Sequence, residues 1–245
     1  MKHTVIQAAM AAGLLGLVPA AHAIPTLSLQ VDSGPAYVCA DGESCDKSAL
    51  AGVVSVDQSF GNLNDYFLLN FTTGVSKPVF AGGNPLMDLN TVNVQASGAH
   101  TFIVQLSDTD FDIYGGRFGM EYGGALSVQN GPGASLEHSA YYDEGNALFA
   151  QGTLIGQVGP LGTGAFSGAV GDGWSPNAPY SVTEILVLKT GGGFTTFSGD
   201  FEVNVPEPGT LALVGLALLG LALVHRRRMP ARAFSFLHTR RAIRR

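Results

Sequence analysis

The sequence is poor in the residues from which reactive sites are most often built. Its 245 residues include two cysteines and one tryptophan, and 13% are charged. Between Ile24 and Asn204 there are two histidines, His100 and His138, and four basic residues, Lys47, Lys77, Arg117 and Lys189. No Gly-x-Ser-x-Gly, His-Glu-x-x-His or phosphate loop occurs, and in Gly164-Ala165-Phe166-Ser167-Gly168 the serine stands one place late. Carboxylates are left as the only plausible catalysts. The shortage of cations excludes a further class. Eighteen carboxylates lie in the same stretch, giving −14 where the whole chain reads −6. Such a surface repels nucleic acid and other anionic polymers unless cations bridge them. Helical periodicity is also missing here, as is any fixed-period repeat, so a solenoid is not expected.

What is present is β patterning. Leu27-Ser28-Leu29-Gln30-Val31 alternates, as do Phe67, Leu69 and Phe71 against Leu68, Asn70 and Thr72. The same holds for Leu89 to Gln95, for Phe102, Val104 and Leu106, and for Phe197, Phe201 and Val203. Ile185-Leu186-Val187-Leu188 reads as a strand buried on both faces. Turn clusters such as Asn84-Pro85, Asn130-Gly131-Pro132-Gly133, Gly171-Asp172-Gly173 and Gly191-Gly192-Gly193 separate the runs. About ten short strands on this plan predict an all-β antiparallel sandwich or jelly roll over residues 24–204, long enough for one sizeable core.

The two ends carry different signals. Lys2 and His3 precede an apolar run from Ala8 to Val18, then Pro19 and Ala21-His22-Ala23. That order predicts a secretory signal peptide over residues 1–23, cut after Ala23 with Ala21 and Ala23 as the small residues of the site. At the other end Pro206-Glu207-Pro208 is followed by an uncharged run, Gly209 to Val224, and then Arg226-Arg227-Arg228. The prolines fix an extended, accessible junction. The 16 apolar residues form a helix short for a span, and the arginines stay with head groups on the cytoplasmic side. A basic tail, residues 229–245, is expected in the cytoplasm.

Residues 205–228 resemble the PEP-CTERM sorting signal of Gram-negative bacteria. The resemblance implies recognition and removal of the tail by a membrane-embedded exosortase, with the domain passed to the cell surface or extracellular matrix. The extended tail after the arginines departs from the usual pattern. A second resemblance, over roughly residues 26–204, is to uncharacterised β-rich PEP-CTERM proteins. It is carried by segments such as Thr73-Gly74-Val75-Ser76-Lys77-Pro78 and Gln105-Leu106-Ser107-Asp108-Thr109-Asp110-Phe111, and implies architecture and destination only.

Within the exported region, Cys39 and Cys45 lie six apart and are expected to form one local disulfide in an oxidising compartment. Asp108, Asp110 and Asp112 alternate, so on an extended strand they would share a face and could hold Ca²⁺. Ile113 stands where a calcium loop wants glycine, and the competing expectation is solvated or turn-capping acids. Asp143-Glu144 beside Tyr141-Tyr142 could suggest glycoside hydrolysis, but adjacent residues of a turn do not converge. Trp174 is expected to be a loop anchor packed on the sandwich rather than a carbohydrate platform. The reading is an exported, non-catalytic surface or matrix protein with no cofactor. The alternatives are a protein binding or acting on extracellular polysaccharide, and ice binding, which the signal also accompanies. Ice binding needs a regular threonine array that Thr72-Thr73 and Thr195-Thr196 do not form.

Overall fold

The computed structural model describes residues 24–60, 67–68, 70–80 and 85–205, together with Leu218. Among these residues the chain forms thirteen strands: β1 Thr26–Val31, β2 Tyr37–Ala40, β3 Val53–Val56, β4 Phe67–Leu68, β5 Phe71–Val75, β6 Met87–Ala96, β7 Thr101–Phe111, β8 Gly119–Gln129, β9 Ser135–Asp143, β10 Thr153–Leu161, β11 Gly164–Val170, β12 Tyr180–Lys189 and β13 Phe194–Asn204. They build two antiparallel sheets. The first runs β10-β9-β12-β7-β1-β2. The second runs β11-β8-β13-β6-β5-β3, with β4 also paired to β6. The expected all-β sandwich is what the chain adopts.

Alternation decides which side chains meet between the sheets. Leu27 and Leu29 of β1, Phe102, Val104 and Leu106 of β7, and Leu186 and Leu188 of β12 come from the first sheet. Met87 and Leu89 of β6, Met120 and Leu126 of β8, and Phe197, Phe201 and Val203 of β13 come from the second. Gly74 of β5 lies against the Leu106 side chain, so a β-carbon there has no room.

β12 sits between β9 and β7, and its outward residues Ser181, Thr183 and Ile185 are buried as well. The cover is the connection between β9 and β10, which folds back over this face. The Phe149 amide donates to Ser107 Oγ at 2.9 Å, and Ser181 Oγ donates to the Ala147 carbonyl at 2.7 Å. The expectation of burial on both faces over Ile185–Leu188 holds at Ile185, Leu186 and Leu188, while Val187 is only half-buried.

Among the strands that patterning did not pick out (β2, β3, β8, β9, β10 and β11), β8, β10 and β11 are rich in glycine and weak in large apolar residues. Their pairing works by complementarity instead. Gly168 of β11 is opposite Tyr122 of β8, with the phenol in the space a side chain at Gly168 would need.

Contact density divides the chain into two units, Met1–Glu207 and Pro208–Arg245. The signal segment with Ala21 and Ala23, the junction Pro206-Glu207-Pro208, Arg226-Arg227-Arg228 and the tail 229–245 lie outside the described residues. Of the apolar segment 209–224 only Leu218 is described, and it is helical. Among the described residues no helix is long and apolar enough to cross a membrane.

Candidate functional site

The acidic end of β7 does not keep a single face. Asp110 adopts a left-handed backbone, φ 59°, and the alternation breaks there. Asp108 is fully buried while Asp110 and Asp112 are exposed. Asp108 Oδ2 accepts from Ser76 Oγ at 2.6 Å, and its Oδ1 accepts from its neighbour's amide, Thr109 N, at 2.8 Å. Asp110 is clasped by Asn146: its amide donates to Asn146 Oδ1 at 2.8 Å and its Oδ1 accepts from Asn146 Nδ2 at 2.7 Å. The cation these acids face is Lys77, whose Nζ donates to the Thr109 carbonyl at 2.5 Å and lies 4.2 Å from the Phe111 ring centroid. Burial lowers the Lys77 ammonium, and Asp108, Asp110 and Asp112 together oppose that. Burial raises the Asp108 carboxyl against the Ser76 hydrogen bond and the Lys77 charge.

The three aspartates do not bring ligand oxygens to one centre. Among the described residues one group of three potential ligands lies within 4.8 Å, Cys39, Glu43 and Cys45. Its sulfurs are joined to each other, S–S 2.07 Å. Asp108→Ala is expected to destabilise the protein by about 2–3 kcal/mol, because a buried hydroxyl and amide lose their acceptor. Thermal melts of wild type in millimolar Ca²⁺ and in chelator should coincide, and a rise with Ca²⁺ that Asp110→Asn abolishes would restore the cation reading.

Around the disulfide the carboxylates are occupied by backbone amides. Asp41 accepts from Gly52 N at 2.6 Å, and Asp46 Oδ1 accepts from Ser48 N and Ser55 N at 2.9 Å each. Cys39 is the fully buried end of this staple. Cys39→Ser is expected to cost roughly 2–3 kcal/mol through the lost constraint on a short loop. Denaturant titration with and without reductant checks it: reduction should lower wild type and leave the variant unchanged.

Asp143 ends β9 and accepts from Ala147 N at 3.3 Å, while Glu144 is exposed in the turn that follows. The two do not converge on a common point.

Two arrangements joined residues that sequence distance concealed. On the outer side of the second sheet, Glu121, Glu202 and Asp88 stand in one cross-strand row. Asp200 is beside them, hydrogen-bonded by Asn90 Nδ2 at 3.3 Å. Glu121, Gly123, Ser167, Gly168, Asp200 and Glu202 line a groove of about 290 Å³ there. Burial, a hydrogen bond with Asp200, and the charges of Asp200 and Glu202 push the Asp88 carboxyl up to about 8, so it carries a proton at neutral pH. Burial, then Asp200 and Glu121, raise Glu202. The register of β6, β8 and β13 makes this row, and no local motif announces it.

Between the sheets, His138 of β9 and Glu184 of β12 are both fully buried, with Nε2 and Oε2 3.1 Å apart. The imidazole lies 4.5 Å from the Phe201 ring, centroid to centroid. Among the described residues, His138 Nδ1 and Glu184 Oε1 have no hydrogen-bond partner. Burial holds the histidine down, to about 3. Burial first, then the charges of Asp88, Glu202 and Asp200, holds the glutamate well above the usual carboxylate range. The pair is therefore a neutral one, with the Glu184 carboxyl donating to Nε2.

Trp174 is not a packed anchor. It is 63% exposed, and the reason is register. Arg117 and Trp174 form an antiparallel bridge, which turns both away from a buried frame. Phe118 and Ser175 beside them are buried. Phe118 N donates to Gly173 O at 3.2 Å, Ser175 N to Gly116 O at 2.8 Å, and Gly116 N to Ser175 Oγ at 3.0 Å. Arg117 Nη2 donates to Asp172 Oδ1 at 3.0 Å. The hydrogen bond from Gly173 N, then the Arg117 bond and charge, lower the Asp172 carboxyl.

The last strand leads straight into the C-terminal signal. Asn204 ends β13 with its amide 3.2 Å from Glu121 Oε1, and Val205 is fully buried in the core. Residues 204–228 match the PEP-CTERM protein-sorting motif. The chain carries a PEP-CTERM protein-sorting motif. That motif implies export and exosortase, a membrane enzyme, for sorting to the cell surface. Among curated protein sequences none matches this chain. Its fold is similar to the structure of TmCBM61 in complex with β-1,4-galactotriose, at 8% identity and TM-score 0.35, over 73% of this chain and 88% of that one. It is also similar to the structure of infectious bursal disease virus Gx strain, at 13% identity and TM-score 0.25, over 76% of this chain and 57% of that one.

Proposed function

We propose that this is an exported, non-catalytic surface or matrix protein, whose β-sandwich is the delivered cargo and whose C-terminal segment is a transient sorting device. The observation that carries the reading is the motif at residues 204–228, which begins where the last core strand ends. A cut near Pro206-Glu207-Pro208 then leaves the described core intact, since Val205 is the last described residue of its core cluster. The apolar run 209–224 inserts, and the arginines after Val224 keep the C-terminus inside and the acidic domain outside. The partner is an exosortase-like membrane enzyme that reads junction, short helix and arginines together.

Tags placed before Val205 and after Arg245 test it on immunoblots. In a cell holding the enzyme, the first tag should appear on a shorter species without the second. A single membrane-bound species carrying both tags makes the segment a plain anchor and ends this reading.

A further inference from the structure

We propose that the Trp174 surface is a binding platform for an uncharged polysaccharide. The proposal goes beyond sorting and stands on a different part of the molecule. An indole that is 63% exposed usually reflects a loose loop, yet this one is held by backbone bonds on both sides and by buried Phe118 and Ser175. The frame therefore holds an apolar ring in water, which costs about 25 cal/mol per Å² of apolar surface that packing would have covered.

The groups on the residue bridged to Trp174 and its partner suit a sugar. Arg117 and Asp172, with side chains 63% and 89% exposed, are fixed against each other at 3.0 Å. Both hydrogen bonds to the Asp172 carboxylate fall on Oδ1, so Oδ2 faces solvent as an acceptor for a hydroxyl. Arg117 has further N–H donors for ring and hydroxyl oxygens. An indole face for the C–H side of a pyranose, with a donor and an acceptor on the bridged residue and its partner, matches the amphipathic character of a sugar ring.

The surroundings are open. A β-carbon at Gly115 or at Gly173 would meet nothing within 4 Å, and both glycines have positive φ, 70° and 90°, which side chains disfavour. A chain of sugars can cross such a platform without steric end-stops. A protein partner needs much more, about 800 Å² on each side, and one ring with a charged pair does not supply an apolar core for that. Charge selects the polymer class: four cations against 18 carboxylates in residues 24–204 disfavour an anionic chain.

Trp174 is the only tryptophan of the chain, so intrinsic indole emission reports this site alone. The full chain in detergent is titrated with laminarin, dextran and galactan, with alginate as the anionic comparison, and run on gels containing each polymer. At least one neutral polymer should shift the emission to the blue and retard the band. Trp174→Ala should weaken retardation tenfold or more at an unchanged melting temperature, and Asp172→Asn should weaken it less. Three results overturn the proposal: no neutral polymer shifts the emission, retardation survives Trp174→Ala, or alginate alone binds. Because tail processing is not read here, failure leaves the sorting reading untouched, and the converse is also true.

Discussion

His138→Leu should destabilise the protein by about 3 kcal/mol, and adding Glu184→Leu should return it to within about 1 kcal/mol of wild type or better. The single change leaves the fully buried Glu184 carboxyl without the one partner it has among the described residues. An orphaned neutral group costs roughly 1–3 kcal/mol and a stranded charge roughly 3–5 kcal/mol. Removing both partners removes the burden, since a well-packed apolar pair is often as stable as the polar pair it replaces. Denaturant titration of the two single variants and the double one gives the coupling directly. Additive losses would mean that the two side chains do not depend on each other.

The same pair shapes the pH profile. Glu184 has its folded pKa raised from 4.5, so its contribution is complete below pH 4.5 and is lost as pH rises toward the folded value. His138 has its folded pKa depressed from 6.5 to about 3, so its contribution is complete above pH 6.5 and is lost as pH falls. Between 4.5 and 6.5 the two slopes cancel. Outside that window each acts alone, at about 1.4 kcal/mol per pH unit. Relative to the double leucine variant, wild type should be flat from pH 4.5 to 6.5 and fall away on both sides. A difference that is independent of pH would show that the pair does not titrate as assigned.

Replacing Pro206-Glu207-Pro208 by three alanines should abolish processing while leaving insertion intact. Insertion depends on the apolar run 209–224 and on the arginines after it, none of which changes. Recognition depends on the junction, where two prolines bar helix and hold the backbone extended. With alanines the apolar helix can extend back toward Val205, the last described residue of the core cluster. The enzyme would then meet a helix where it needs an exposed extended peptide. The two-tag blot should change from a cleaved species to an uncut membrane-bound one. Cleavage at the wild-type rate would place the signal elsewhere. Truncation after Glu207 should leave the melting temperature unchanged, whereas truncation before Phe201 should unfold the domain by removing Phe201, Val203 and Val205 from the core.

Much of this protein was legible before its fold. The alternation of Leu27, Leu29, Phe102, Val104, Leu106, Phe201 and Val203 is local, and a period of two places those residues in a sheet core whatever the partner strands. The C-terminal sorting motif was legible in the same local way. Strands β2, β3, β8, β9, β10 and β11 were not picked out, and in β8 and β11 glycines opposite aromatics leave no period to read.

Sites divided on the same line. Cys39 and Cys45 are close in sequence, and proximity alone made their pairing a fair expectation. Asp108, Asp110 and Asp112 are just as close, yet a single left-handed residue, Asp110, turned them apart and Lys77 supplied a cation from within. The row Glu121–Glu202–Asp88, the pair His138–Glu184 and the bridge Arg117–Trp174 each join residues tens of positions apart. The chain alone determined that this is an exported β-sandwich with a sorting tail, because those properties are sums over neighbouring residues. Tertiary structure alone decided which polar groups are buried together and which ring is left in water, because strand register is a property of pairs that the chain brings together only on folding.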